Sequence, residues 1–369
     1  LDPRPAPLLK WIRLLNTGAM AVLGGAVFSW AHTPLPWLLG SLAAVSALSL
    51  LNRVSRLPSW GLTVGQISVG AALGLYFTPV VLAALAGLLG WMLLTGLATC
   101  LLSMLGAVYL QRLTGLDART CFYAATIGAA SDMAVQAAKD GARADLVAMS
   151  HTVRVAMVVT TVPLLATLMV IPGTGTSAPP AVANVVQLLP WADMAWVCAL
   201  AAACGALGRW LRLPNPWVMG PLLATILVAA LIPEARLQPA VVGGAQVLIG
   251  WSLGQRFNRT MFCDSPRFLF AAATLTALLL LAGAGLAGIV HWAAGLSYAS
   301  SFVATAPGGI AEMAITAKVL ALDPPTVTAF QAVRLVLIVL GVRLLLRLTL
   351  RLGWVKEAAA VHPTRTSPP

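Results

Sequence analysis

The sequence predicts an all-α membrane protein, with about ten transmembrane helices plus two re-entrant or broken segments in two inverted repeats, a transporter-like plan. Composition, an internal repeat and the placement of charge support this. Of 369 residues, 59% are hydrophobic and only 9% are charged. An average soluble domain carries about a quarter charged residues. A soluble core of this size could not hide so much apolar surface, so lipid is the expected solvent for most of the chain. The 32 glycines and 24 prolines would disrupt soluble helices. Membrane bundles tolerate them because neighbouring groups satisfy the freed backbone.

The repeat is legible in four motifs. PLPWLLG at 34–40 recurs as PNPWVMG at 214–220, and GQISVGAALG at 65–74 as AQVLIGWSLG at 245–254. IGAASDMA at 127–134 recurs as PGGIAEMA at 307–314, and HTVR at 151–154 as QAVR at 331–334. Every pair is offset by 180 positions, as are Trp11 and Trp191, and Trp30 and Trp210. The expected organisation is a cytoplasmic N-terminus at 1–13, membrane repeat 1 at 14–170, an external linker at 171–190, membrane repeat 2 at 191–353 and a cytoplasmic tail at 354–369. The linker is Pro-, Gly- and small-residue-rich, and the tail is expected to be disordered. The first apolar run follows Lys10 and Arg13 as a signal peptide would. Its counterpart later in the chain argues for a mature helix.

Each half divides into six apolar segments. They fall near 14–31, 34–51, 58–76, 79–110, 121–138 and 144–170, then 191–208, 214–232, 238–255, 267–293, 299–317 and 325–350. The fifth in each half carries a carboxylate beside glycines, which marks a broken segment. If that segment enters and leaves on one side, each half crosses five times and the second half is inverted. Nineteen of the 23 basic residues then share the side of the N-terminus, with only Arg236 and Lys318 opposite, as the positive-inside rule requires. Both termini are thus expected in the cytoplasm of a bacterium, with the helices in its inner membrane.

The duplicated PxPWxxG, GQxxxGxxLG, PGGxxEM and QxxR motifs resemble those of the AbrB membrane protein family, which is distinct from the soluble DNA-binding regulator of that name. The likeness covers nearly the whole chain. It implies a link to regulation of gene expression. The family's other label, an ammonia monooxygenase, finds no metal site here. The four histidines are far apart and the five cysteines lack ligand spacing, so no metal, no cofactor and no enzymatic activity is expected. The plan also resembles cation/proton antiporter and anion transporter folds, by analogy only. Ile127 stands where Pro307 stands, and Ala129 where Gly309 stands, so the break in the first half is expected to be gentler or absent.

The candidate binding residues come in pairs. Asp132 and Glu312 are placed to handle a proton, a sodium ion or a substrate, or to stabilise a half-helix N-terminus. Arg154 and Arg334 follow them by 22 residues. A guanidinium there would clamp an anion or form an internal ion pair with its half's carboxylate. His151 and Gln331 lie one turn earlier on the same faces, and His151 could exchange protons. Gln66 and Gln246 are amides in apolar segments, suited to lining a pathway or to interhelical bonding. Gly128, Pro307, Gly308 and Gly309 supply the broken backbone. The expected function is secondary transport of a small solute, an organic anion among the candidates, by alternating access. A membrane sensor affecting gene expression is the alternative. The lipid bilayer, the solute and its coupling ion are the expected partners. The net charge of +12 falls in short loops and sets topology, so nucleic acid is not expected. A homo-oligomer is left open.

Overall fold

The computed structural model describes residues 7–169, 187–257, 259 and 265–355. The extreme N-terminus, residue 170 with most of the predicted linker (171–186), and the tail from 356 onward, together with Cys263 and His362, lie outside the described residues. Within the described residues the protein is built of fifteen α-helices and one pair of two-residue strands. The first half contains α1 (Pro7–Trp30), α2 (Pro36–Leu50), α3 (Ser59–Gly74), α4 (Pro79–Ala86), α5 (Leu89–Thr114), α6 (Ala118–Ala125), α7 (Ala130–Lys139) and α8 (Ala144–Met169). The second contains α9 (Trp191–Trp210), α10 (Pro216–Leu231), α11 (Pro239–Gly254), α12 (Pro266–Ala294), α13 (Tyr298–Thr305), α14 (Ile310–Val319) and α15 (Pro324–Arg351). Helices α2 and α10, α3 and α11, α6 and α13, α7 and α14, and α8 and α15 begin 180 residues apart. The end of the predicted linker is ordered as β1 (Gln187–Leu188). It pairs in parallel with β2 (Ala235–Arg236) and ties the entry of α9 to the α10–α11 loop.

Local chemistry explains the boundaries. Pro36 and Pro216 open α2 and α10, where a missing N–H costs nothing. The residue between each pair of prolines adopts a left-handed conformation, Leu35 at φ 55° and Asn215 at φ 46°. Leu35 is fully buried, so packing offsets its strain. Asp117 and Ser297 play the same part at α6 and α13, accepting the backbone N–H of Thr120 and Ser300. The helices before them end on Gly115 and Gly295 at φ 70° and 68°, a conformation that only glycine adopts without cost.

Six helices are long and apolar enough to cross a membrane: α1, α5, α8, α9, α12 and α15. Helices α2, α10 and α11 are apolar but only 15–16 residues long. Helix α4 turns 85° from α3. The fourth segment of the first half, read from sequence as one helix, is therefore two, parted at Gly87 and Leu88.

Interhelical contacts are reciprocal between the halves. Gly70 packs on the Val218 carbonyl and Pro221 of α10, while Gly250 packs on the Leu38 carbonyl and Ser41 of α2. Gly74 meets Leu222 and Thr225, and Gly254 meets Leu42 and Val45. Each contact recurs when 180 is added to one partner and subtracted from the other. Gly65 touches its own counterpart, Ala245. Reciprocity of this kind is the mark of a two-fold relation. Packing also sorts the helices into two groups that cut across the repeats. A frame is formed by α1–α3 with α9–α11, and a core by α5–α8 with α12–α15. The main contacts across the divide are those of α14 and α15 with α3, while α4, in neither group, meets α15.

The expectation of a gentler first break is corrected. Residues 126–129 interrupt α6 and α7 just as 306–309 interrupt α13 and α14. Proline is not needed, because side chains hold the backbone: Ser103 Oγ accepts the Ile127 N–H at 3.3 Å, and Arg154 donates to the Thr126 carbonyl at 3.0 Å.

Candidate functional site

Both breaks open onto one cavity of about 340 Å³ between core and frame. Gly128, Pro307, Gly308 and Gly309 line it, as do Asp132 and Glu312, Arg154 and Arg334, Gln66 and Gln331. Gln246 and His151 do not. Helices α7 and α14 start at the cavity wall, and neither Ala129 nor Gly309, the residues that precede them, provides a side-chain cap. Their first-turn amides and the positive ends of their dipoles thus face one space, a natural seat for negative charge.

The arginines staple the breaks. Arg334 is 7% exposed, and buried guanidinium donors demand acceptors. Its Nη1 donates to the Ala306 carbonyl at 2.6 Å and its Nη2 to the Gly308 carbonyl at 2.5 Å and to Gln331 Oε1. Arg154, 3% exposed, repeats this with Thr126 at 3.0 Å and Gly128 at 3.5 Å. The partners of both arginines are carbonyls of the broken backbone, in place of the carboxylates that an internal ion pair would use. The orienting residues match too. Gln331 Nε2 donates to the carbonyls of Val303, Ala304 and Ala306. His151 sits between the Tyr123 carbonyl at 3.0 Å and Arg154 Nη2 at 2.5 Å. Because Arg154 only donates, Nδ1 must accept and Nε2 must carry the proton, which makes His151 a neutral ring with both nitrogens occupied. One donor is spare: Arg334 Nε is buried without a hydrogen-bond partner.

Glu312 folds back over the start of its own helix. Its Oε2 fills the space that a Cβ at residue 309 would need, which is why glycine stands there. Across the cavity it senses the charge of Arg256, while Arg154 and Arg334 repel each other. Arg256, Asn215 and Ser252 also line the cavity and were not singled out from sequence. The repeat hid Arg256, because its counterpart is Tyr76. The available signal was its position two residues past Gly254, at the end of a repeated motif. With three arginines and two carboxylates the side chains carry one formal positive charge, to which the two helix N-termini add.

Fold and site together define a membrane-type helical protein with two interrupted helices meeting at a buried charged cavity. The chain matches the family described as "Transition state regulatory protein AbrB" over residues 3–87 and 37–350, and it belongs to that family. It is 28% identical over 349 residues to "Uncharacterized protein YhjN" of Bacillus subtilis (strain 168), covering 87% of this chain and 89% of that one. It is 26% identical over 342 residues to "Putative regulator AbrB" of Escherichia coli (strain K12), covering 90% of this chain and 94% of that one.

Proposed function

We propose that the protein is a secondary transporter of a small organic anion, coupled to a proton or sodium ion, working by alternating access. The observation that carries this reading is the meeting of two half-helix N-termini and two backbone-stapling arginines at a single cavity. Interrupted helices are tolerated in a membrane where they are protein-buried or line a cavity, and paired interruptions in a repeat are a transporter feature. Arg334 Nε and the first-turn amides of α7 and α14 would hold the anion, and Asp132 and Glu312 would take up the coupling ion. In this reading the four short helices of the frame also cross, giving about ten crossings and an inverted second half. The one-sided distribution of basic residues supports that topology, with both termini in the cytoplasm. No enzymatic step is assigned.

The test is uptake into proteoliposomes of a panel of organic acids, with amines and ammonium as comparison, with and without a pH or sodium gradient. Gradient-driven flux of an acid, lost in Glu312→Gln while the variant elutes as a folded species, is the expected result. A correctly inserted protein that moves no solute overturns the reading. The printed name of the Escherichia coli relative would then favour the second reading, a membrane sensor that affects gene expression through a partner, which a pulldown would detect.

A further inference from the structure

Apart from Gln331, the core lines the cavity with paired positions from both repeats, but the frame lines it with only one of two equivalent sets. Both breaks and both arginines contribute from the core. From the frame, the cavity touches Gln66 midway along α3, Asn215 at the start of α10 and Arg256 just past the end of α11. Their counterparts are Gln246, Leu35 and Tyr76, and none of these lines the cavity. Gln66 and Asn215 are partly open, whereas Gln246 is 6% exposed and Leu35 is fully buried. Gln246 Oε1 is also buried without a hydrogen-bond partner, a condition that native interiors rarely tolerate.

We propose that the core moves as one body against the frame, so that the breaks face Gln66 and Arg256 in this state and Gln246 and Tyr76 in the opposite one. The proposal rests on the transport reading and supplies its moving parts. The hydrogen bonds described here allow such a slide. Those of Arg154, Arg334, His151 and Gln331 stay inside the core. Those of Leu57 with Gln255, Trp251 with Ser55 and Arg236 with Leu75 stay inside the frame. The far side is held shut around Tyr76. Arg236 of the frame lies over its ring at 4.5 Å, and Lys318 of the core at 5.8 Å. These two cations are the pair that charge counting places opposite the basic face. The loops flanking the open end carry Arg53, Arg56, Arg212 and Arg259, so this state is open to the cytoplasm under the positive-inside rule. The lone acceptor of Gln246 gains water or substrate as a partner when the core reaches it.

Labelling of engineered cysteines tests this without knowledge of the cargo. Gln66→Cys and Gln246→Cys are placed singly in full-length protein whose five native cysteines are replaced by alanine. Each is treated with a membrane-impermeant maleimide in right-side-out and in inverted vesicles. Position 66 is expected to react only from the cytoplasmic side and position 246 only from the other. In a second set, Tyr76→Cys and Lys318→Cys are joined by a bis-maleimide, with linkage verified by mass spectrometry, before the test cysteine is deprotected and labelled. Linking is expected to abolish labelling at 246 and to spare it at 66. Labelling of 246 from the same side as 66, from neither side, or undiminished after linking overturns the proposal. Two-sided labelling without solute flux counts against the transport reading instead.

Discussion

Glu312 and Gly309 share one small volume, and the first half fills the same volume differently. Ala129 brings a methyl group to the position where Gly309 has none, and its acid, Asp132, is one methylene shorter than Glu312. The two acids therefore compensate for the neighbours three residues before them. Gly309→Ala should displace the Glu312 carboxylate and cost roughly 1–3 kcal/mol, the usual scale for overpacking. Adding Glu312→Asp should restore most of the loss, because the double variant copies the first half. Thermal unfolding in detergent checks this, and a double variant no more stable than Gly309→Ala alone refutes it. The pairing of Asp132 with Glu312, and of Arg154 with Arg334, was legible from the 180-residue offset. The roles of the arginines were not, because their acceptors are backbone carbonyls and a sequence shows only side-chain charge.

The broken segments hold their shape through a neighbouring helix. Residue 331 in α15, like residue 151 in α8, orients the arginine that staples its break. A histidine does in one half what a glutamine does in the other, since each offers one acceptor to the guanidinium and one donor to the chain. Gln331→His should therefore keep the break, while Gln331→Leu strips the Val303 and Ala304 carbonyls of this donor and leaves the Ala306 carbonyl to Arg334. Each buried carbonyl left bare costs about 1–3 kcal/mol, so the leucine variant should lose stability well beyond the histidine variant. Equal melting temperatures for the two would count against the orienting role. Most helix boundaries were legible from proline starts, polar caps and apolar run lengths. The interruption between α4 and α5 was not, since an unbroken apolar run has no periodicity to reveal a break at Gly87 and Leu88.

The whole molecule is two repeats by sequence and two packing bodies by contact, and only the first division was legible. Repetition identifies the copies but not which faces meet. The glycines at 70, 74, 250 and 254 read as generic close-packing positions, and their partners across the halves emerge only in space. That cross-pairing predicts that the halves, produced as separate chains split between Met169 and Gln187, co-purify as a stoichiometric complex. It also predicts that Gly70→Leu, which drives a side chain into the Val218 carbonyl, reduces the yield of that complex. Recovery of two independent stable halves instead would show that the cross-pairing is dispensable.

The same cross-pairing sets a timetable for biogenesis. Helix α3 leaves the ribosome with the glycine face that will meet α10 still bare, and α10 lies some 140 to 170 residues further along. At ordinary translation speeds the wait is on the order of 10–30 s. Through that interval the nascent first half carries a self-complementary half-interface in the bilayer, and a neighbouring nascent chain on the same polysome offers the same glycine face and the same α2 surface. Productive assembly is thus a race between finishing one's own chain and exchanging halves with a sibling.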